Sequence, residues 1–283
     1  MDGMMIGKRI RMQRIMGRES QKMLIVPIDH GISDGPIEGL IDVKETVSTI
    51  AESGANGILM HKGLVGVGFR GGGTDIGLIV HLSAGTSLSP DPLNKVMVTT
   101  VEEAVSLGAD AISIHINVGA ADTGRMMEEA GQVVRDCKRF GMPLLMMMYP
   151  RGEKVKNEKD VEVVKLAARI GAELGADIVK TNYTGSKESF KQVVAGCPVP
   201  VIIAGGCKGT DKDVLVMIKD AMDAGAAGVA MGRNAFQHKE PKKIIKAVSL
   251  ILHKNYSVDA AMKEADLKDE KVSAKLANAK SAH

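Results

Sequence analysis

Eight short apolar runs, separated by helical patterns, set the strongest limit on how this chain can fold. The runs span residues 23–29, 57–61, 78–82, 110–118, 143–149, 176–180, 200–206 and 228–232. Most of them lack polar alternation, which is typical of parallel strands that are covered on both faces. Helical patterns separate them at 42–53, 101–107, 125–140, 158–174, 186–195, 211–224 and 241–253. A further run at 95–100 is either an extra strand or a lead-in to the next helix.

A weak internal repeat indicates how these elements are arranged. The phrases ESGANG, SLGADA, ELGADI and DAGAAG stand directly before the second, fourth, sixth and eighth apolar runs. Each phrase predicts a helix end, a glycine cap and the start of the next strand. This repeat on alternate strands predicts a parallel (β/α)₈ barrel, the TIM-barrel fold. A doubly wound open sheet is the alternative, and it is less favoured because no GxGxxG follows the first run.

The domain organisation follows from the extent of this pattern. We expect one barrel over residues 1–255, including an N-terminal helix, and a polar tail over 256–283 that is partly helical or disordered. The Gly-, Ser- and Pro-rich stretches at 62–77 and 83–94 predict long loops on the C-terminal side of the barrel.

Composition and charge narrow the class of protein. The net charge is only +3, and there is no basic stripe interleaved with aromatic residues, so neither nucleic acid nor a membrane is indicated as a partner. The three cysteines, Cys137, Cys197 and Cys207, form no CxxC pair, which is typical of a reducing compartment. No apolar run is long enough to span a bilayer. We therefore expect a cytoplasmic protein.

Chemically capable side chains follow the predicted strands. In a TIM barrel the residues at the C-terminal strand ends converge on one site, and this convergence indicates an enzyme. The residues in these positions are Asp29, His30 and Gly31, His61 and Lys62, His81, His115, Tyr149, Pro150 and Arg151, Lys180, Gly205 and Gly206, and Gly232, Arg233 and Asn234.

Lys180 is the most informative of them, because the apolar run at 176–180 delivers an amine at its end. In an apolar barrel mouth an amine is desolvated, which lowers its pKa and frees its lone pair. A neutral amine can attack a carbonyl and form an iminium that accepts electrons from a breaking C–C bond. The alternative is a structural lysine that reaches solvent or pairs with Asp29.

The neighbouring strand ends supply groups for proton transfer. The phenol of Tyr149 can pass a proton to and from a hydroxyl or carbinolamine, and Asp29 can act as a base. His30 and His115 can orient that base or the substrate. Each has a structural alternative: a tyrosine that caps the core, a carboxylate that pairs with Lys180, and histidines that are only hydrogen-bonded in place.

Two glycine-containing motifs follow the last two runs, AGG at 204–206 and GRN at 232–234. Phosphate in such barrels commonly binds at the loops after strands seven and eight. Glycine lets backbone N–H groups approach an anion, and Arg233 can add a bidentate hydrogen bond. A simple turn is the alternative for each motif alone, but the pair of motifs favours a phosphate site.

The motifs VPIDHG, HINVG, MMMYPRG, ADIVKTNYTG, AGG and GVAMGRN resemble those of the archaeal-type class I aldolases, in the branch related to deoxyribose-phosphate aldolase. The resemblance covers residues 8–255. It implies a TIM barrel, a homo-oligomer that is often a decamer, and neither metal nor cofactor. It also implies that Lys180 is the Schiff-base lysine, Tyr149 the proton donor and Asp29 the proton acceptor. The implied substrate- and phosphate-binding residues are His30, Gly31, Ile32, Ser33, His115, Pro150, Arg151, Gly205, Gly206, Gly232 and Arg233.

Three further stretches point to a transaldolase branch of this family: GRES (17–20), GPIEGLIDVKETV (35–47) and LIVHLSAGTSLSPDPL (78–93). The implied donor is 6-deoxy-5-ketofructose 1-phosphate, and the implied acceptor is L-aspartate semialdehyde. The product of this reaction feeds a 3-dehydroquinate route to aromatic amino acids. One departure from the branch is Cys207, where its members usually have proline after the Gly-Gly pair.

Three alternatives remain open. A class I fructose-bisphosphate aldolase would need a second anion site, for which Arg70, Arg151 or Lys62 is available. A metal-dependent hydrolase could use the histidines near successive strand ends, although adjacent Asp29 and His30 would point to opposite faces of a strand. The histidines concerned are His30, His61, His81 and His115. A barrel that binds phosphate without catalysis is the third.

Overall fold

The computed structural model describes residues 3–71, 76–206 and 209–269. In chain order the strands are β1 Met23–Pro27, β2 Gly57–His61, β3 Gly77–His81, β4 Ser83–Ala84, β5 Val96–Met97, β6 Ala111–Val118, β7 Leu144–Pro150, β8 Ile178–Thr181, β9 Val201–Ala204 and β10 Gly228–Ala230. Eight of these, all parallel, close a barrel in the order β1-β2-β3-β6-β7-β8-β9-β10. The predicted TIM barrel is therefore confirmed.

The helices follow in the same order as the predicted patterns. They are α1 Gly3–Met12, α2 Gly31–Asp34, α3 Val43–Glu52, α4 Lys62–Val65, α5 Val101–Ser106, α6 Thr123–Phe140, α7 Val161–Leu174, α8 Lys187–Gly196, α9 Asp211–Asp223, α10 Arg233–Phe236, α11 Pro241–Lys254 and α12 Val258–Glu264. The glycine of each repeated phrase adopts the left-handed conformation that ends a helix, with φ of +90° at Gly54, +81° at Gly108, +107° at Gly175 and +100° at Gly225.

Strand side chains alternate between two apolar layers. One layer fills the barrel and includes Ile25, Leu59, Ile79, Leu145 and Met147, each at most 3% exposed. The other layer packs between the strands and the surrounding helices. Ile15, which follows α1, packs into the inner layer, so the N-terminal end of the barrel is closed. The filled interior leaves the C-terminal strand ends as the place for a site.

Some segments predicted as loops contain regular structure. Residues 62–65 form α4, and β4 pairs antiparallel with β5, so the run at 95–100 contributes a strand outside the barrel. In the predicted tail, α12 is followed by Ala265 and Leu267, which are buried against the helical layer. Residues 72–75, Cys207 and 270–283 lie outside the described residues. Within the described ranges, no helix combines the length and apolar character that crossing a membrane requires.

Candidate active site

Lys180 lies at the centre of the C-terminal strand ends. It is the third residue of β8, and its side chain follows Ile178 into the barrel, while Thr181 donates a 2.8 Å hydrogen bond to the carbonyl of Met148 on the neighbouring strand. Lys180 is 6% exposed, and its Nζ lies 4.0 Å from the Sδ atom of Met147. Thioether sulfur is a weak acceptor, so the amine is held among apolar side chains and can reach a ligand in the barrel mouth.

Tyr149 stands on the adjacent strand, two residues beyond Met147 on the same face, and is 7% exposed. Its ring centroid lies 5.1 Å from that of His115, and the guanidinium carbon of Arg151 lies 4.7 Å from it. His115 Nε2 is 2.8 Å from Asn117 Oδ1. Burial, together with the charges of Arg151 and Lys95, holds the pKa of His115 well below its ordinary value. The phenol therefore faces a neutral imidazole and a fixed cation.

Asp29 faces three imidazoles across the barrel mouth. Its Oδ1 lies 3.5 Å from His30 Nδ1, and its Oδ2 lies 4.0 Å from His81 Nε2. Burial acts to raise the pKa of Asp29, but the combined charges of His30, His81, Lys180 and His61 outweigh it and hold the pKa well below its usual range. Asp29 is therefore an ionised acceptor in the same chamber as the Lys180 amine.

The argument that Asp29 and His30 point to opposite faces is wrong. It assumed that both residues belong to the first strand, but β1 ends at Pro27. His30 has φ −67° and ψ −27° and is the N-cap residue directly before α2, so its ring turns back toward Asp29 and makes an edge contact with Phe236, with the ring centroids 5.2 Å apart.

The four histidines of the hydrolase alternative are spread around the mouth. His81 Nδ1 is 2.6 Å from Ser113 Oγ, and its ring lies edge-on to that of His61, with centroids 5.2 Å apart. The ring of His115 is hydrogen-bonded to Asn117 instead. Across the part of the chain that the structure describes, no three His, Cys, Asp or Glu side chains are arranged to hold a metal ion.

The burial of His81 predicts a pH-dependent stability. Burial lowers the pKa of this 3%-exposed imidazole from 6.5 to about 3. Between these pH values His81 is protonated in the unfolded chain but not in the native state, so the free energy of unfolding falls as the pH drops. We expect His81→Gln to lower the slope of the unfolding free energy against pH, by about half of 1.4 kcal/mol per pH unit at pH 6.5 and by nearly the full value near pH 5, measured by urea denaturation across that range.

His238 provides a control of opposite sign. Its Nε2 lies 3.1 Å from Asp211 Oδ1; burial acts to lower the pKa of His238, but the bond to Asp211 outweighs it and raises the pKa. Its contribution to stability is therefore present below pH 6.5 and is lost as the pH rises. His238→Gln should therefore remove the gain in stability that His238 gives as the pH falls toward 6.5 and leave the slope near pH 5 almost unchanged. A slope that is unchanged in His81→Gln would contradict the account of His81.

The loops after β9 and β10 form a cationic, glycine-lined surface, which we name the first anion pole. Asn234 Nδ2 donates a 2.7 Å hydrogen bond to the Gly205 carbonyl and so ties the two loops together. A Cβ atom at Gly232 would lie 2.6 Å from His30 Cε1, whereas one at Gly206 would meet open space. Arg233 Nη1 is buried and has no hydrogen-bond partner among the described residues. The pole comprises His30, Gly205, Gly206, Gly232 and Arg233.

The other predicted substrate-binding residues lie at the rim. The side chain of Ile32 is 43% exposed, and Gly31 borders open space. Ser33 Oγ donates a 2.9 Å hydrogen bond to the Gly85 carbonyl, so it fastens α2 to the segment before β5. Pro150 is buried as the last residue of β7.

Among the predicted basic candidates, only Arg151 lies at the centre of the site. Lys62 Nζ pairs with Glu103 at 3.0 Å, and Arg70 Nη1 lies 3.8 Å from Glu52. Arg151 packs over Tyr149 while its Nε donates a 3.1 Å hydrogen bond to Glu158.

Sequence reasoning missed Lys95, whose segment is joined to the site through Asn117, which donates a hydrogen bond to the Leu93 carbonyl and lies 2.8 Å from His115 Nε2. Burial and the charge of Arg151 lower the pKa of Lys95, against the opposing effects of Asp29, Asp34 and Asp91. Lys95 precedes the short β5 and does not follow a barrel strand. The expectation that site residues lie at the C-terminal ends of barrel strands (the strand-end rule) therefore does not identify it. Its only sequence signal is that it is the single cation at the end of a long Gly-, Ser- and Pro-rich stretch.

Comparison with known proteins agrees with this geometry. Residues 23–238 match the DeoC/LacD family of aldolases. A 2-amino-3,7-dideoxy-D-threo-hept-6-ulosonate synthase of Archaeoglobus fulgidus is 44% identical over 91% of this chain and 95% of its own length. A 2-amino-4,5-dihydroxy-6-oxo-7-(phosphonooxy)heptanoate synthase of Streptomyces griseus is 38% identical over 90% of this chain and 93% of its own.

A solved structure is similar as well. A Schiff-base-forming fructose-1,6-bisphosphate aldolase superposes with a TM-score of 0.81 and 34% identity, and the match covers 87% of this chain and all of the other. The resemblance predicted from the motifs is therefore confirmed at the level of family and fold. The chain belongs to the DeoC/LacD family of aldolases.

Proposed function

We propose that this protein is a lysine-dependent transaldolase that transfers a keto fragment from 6-deoxy-5-ketofructose 1-phosphate to L-aspartate semialdehyde. The product would be 2-amino-3,7-dideoxy-D-threo-hept-6-ulosonate, a precursor in a 3-dehydroquinate route to aromatic amino acids. One observation carries the proposal: a buried lysine stands beside Tyr149, facing Asp29, in a barrel whose relatives at about two-fifths identity make such products.

The chemistry assigns a role to each side chain. The Lys180 amine adds to the donor ketone, and loss of water gives an iminium. A base takes the proton of the hydroxyl two carbons away from the iminium carbon, and that hydroxyl carbon becomes the carbonyl of the departing phosphorylated aldehyde. The pair of the breaking C–C bond moves into the iminium to form an enamine. The enamine carbon then attacks the semialdehyde carbonyl, whose oxygen takes a proton, and water releases the product from Lys180. Tyr149 is the proposed proton donor and Asp29 the proposed acceptor.

The remaining predicted residues are proposed to bind the donor. The first anion pole would hold its phosphate, because Arg233 presents an unpartnered buried nitrogen beside a glycine-lined surface. Gly31, Ile32 and Ser33 would contribute through their backbone at the rim, and His115 and Pro150 would shape the side next to Tyr149. The acceptor carbonyl would approach Lys180 from the open mouth of the barrel.

The products named for the two relatives show which part of the product is common to them and which part differs. Both products are seven-carbon 2-amino acids, and they differ at carbon 7, which is deoxy in one and carries a phosphate in the other. We therefore infer that the amino-acid end comes from a shared acceptor and that the donor is the variable part. Dihydroxyacetone phosphate is the second candidate donor, and the cationic first anion pole favours it over an unphosphorylated ketone.

Product analysis tests the proposal. The purified full chain, stripped of metal with a chelator, is incubated with the deoxy-keto-hexose phosphate, with and without L-aspartate semialdehyde. We expect a 7-deoxy amino-keto acid only when the semialdehyde is present. A 7-phosphorylated product formed from dihydroxyacetone phosphate would identify that compound as the donor instead. Triose phosphates from fructose 1,6-bisphosphate, without any amino-keto acid, would show that the aldolase alternative is correct.

The proposal also covers the oligomeric state, the metal requirement and the cellular compartment. Residues 1–255 would act as one catalytic barrel, the protein would form a homo-oligomer as large as a decamer, and the reaction would run without metal in the cytoplasm. Sedimentation of the full chain gives the oligomer size, and full activity of the chelator-treated protein is the expected result for metal independence.

A further inference from the structure

A second cationic surface lies on the opposite side of Lys180 from the first anion pole, because β8 stands between β7 and β9 in the barrel. It is formed by Lys95, from the segment before β5, and by Arg151, from the end of β7. We infer that Lys95, with Arg151 beside it, holds the carboxylate of the acceptor amino aldehyde. The inference rests on the proposed function and identifies the group that would select an amino-acid acceptor.

The backbone that carries Lys95 is fastened at several points. Asn117, fully buried on β6, donates a 2.6 Å hydrogen bond to the Leu93 carbonyl. Arg125 on α6 bonds the Asn94 side chain and donates a 3.0 Å hydrogen bond to the Lys95 carbonyl. A buried side chain of β6 and a half-buried side chain of α6 thus fix this loop, which is what a positioned binding group requires.

Contacts with neighbouring backbone also fix the position of the Lys95 ammonium. It donates a 3.0 Å hydrogen bond to the Pro92 carbonyl, and a Cβ atom at Gly85 would lie only 2.9 Å from Nζ. Gly85 is in turn held to α2 by Ser33. Because an ammonium has three donors, the bond to Pro92 leaves two for a ligand. A side chain at Gly85 would push the ammonium out of this place.

The charges around Lys95 favour an amino acid over a second phosphate. Arg151 and Lys95 supply positive charge, and the carboxylates of Asp29, Asp34 and Asp91 are near enough to act on the charge of Lys95. A phosphate dianion would be repelled by these carboxylates, whereas the semialdehyde carries both a carboxylate and an ammonium. The mixed surface matches that zwitterion, with the carboxylate at Lys95 and the ammonium toward the acidic groups.

The test pairs a side-chain change with a substrate change. Full-length wild type and Lys95→Met are compared with L-aspartate semialdehyde and with 3-aminopropanal, which lacks only the carboxylate. We expect wild type to prefer the semialdehyde by roughly 10- to 100-fold in kcat/KM, because a charge-assisted hydrogen bond contributes about that factor. In Lys95→Met this preference should collapse, while Lys95→Arg, which keeps the charge, should retain much of it.

Two readouts keep the result interpretable. Single-turnover release of the phosphorylated aldehyde from the donor is measured in Lys95→Met to show a folded and reactive barrel, and both aldehydes are compared in this same variant, so that any change in donor cleavage cancels from the preference. Lys62→Met, at an exposed lysine paired with Glu103, should keep the full preference for the semialdehyde.

Several outcomes would overturn the inference. If the carboxylate instead occupies the first anion pole after the donor phosphate has left, Lys95→Met keeps its preference. Equal losses with both aldehydes would assign Lys95 a structural role. A wild type that gives no amino-keto acid at all would overturn the proposed function, and this result is distinct because it appears before any variant is made.

Discussion

Replacing Lys180 with Met is expected to lower transfer activity by roughly 10⁴-fold or more, because no other group can form the iminium. The barrel should stay folded. Lys180 is 6% exposed, and its neighbours include Met147 and other inner-layer apolar side chains, so methionine fits the same space without a buried charge. Initial rates give the activity, and a thermal melt at least as high as that of wild type is the expected stability.

Two companion variants make this result specific. Lys180→Arg should be equally inactive, because a guanidinium stays protonated and cannot form an imine. Lys22→Met should keep activity, although Lys22 is also partly buried and donates a 2.6 Å hydrogen bond to the Ala226 carbonyl at the other end of the barrel. Activity of Lys180→Met within an order of magnitude of wild type would contradict the Schiff-base account.

The second large effect is expected at the first anion pole. Arg233→Met should raise the KM for the phosphorylated donor by roughly 100-fold, because an arginine that meets phosphate through charge-assisted hydrogen bonds is removed. The native Nη1 is buried without a partner among the described residues, so the loss should appear in donor binding rather than in folding. Steady-state kinetics at saturating acceptor measure the effect.

A surface arginine supplies the control for this change. Arg169 is 56% exposed and pairs with Glu173 one turn along α7, so Arg169→Met should leave both KM values unchanged. If the donor KM of Arg233→Met matches that of wild type, the donor phosphate does not bind at the first anion pole but elsewhere in the barrel mouth.

The sequence was sufficient to predict the barrel because its signals are local. Continuous apolar runs mark buried parallel strands, and the glycines at 54, 108, 175 and 225 mark helix ends that the structure places in the left-handed conformation. The short helices α2, α4 and α10 were not predicted. Each is only four residues long and begins where an apolar run ends, so none has room for a helical period.

The site was predictable where it obeys the strand-end rule. Lys180 and Tyr149 lie near the C-terminal ends of β8 and β7, Asp29 follows β1, and the structure brings the three to one chamber. Lys95 could not be found in this way, since its position depends on how Asn117 and Arg125 fasten a loop from neighbouring elements. Those hydrogen bonds join residues about 25 to 30 positions apart and leave no local pattern.

The most direct test of the central claim is borohydride reduction of the protein in the presence of the donor, followed by mass mapping. After C–C cleavage the account predicts a three-carbon adduct on Lys180, and addition of L-aspartate semialdehyde before the reductant should discharge it. An adduct on any other lysine, or no adduct while product still forms, would contradict the claim that Lys180 carries the transferred fragment.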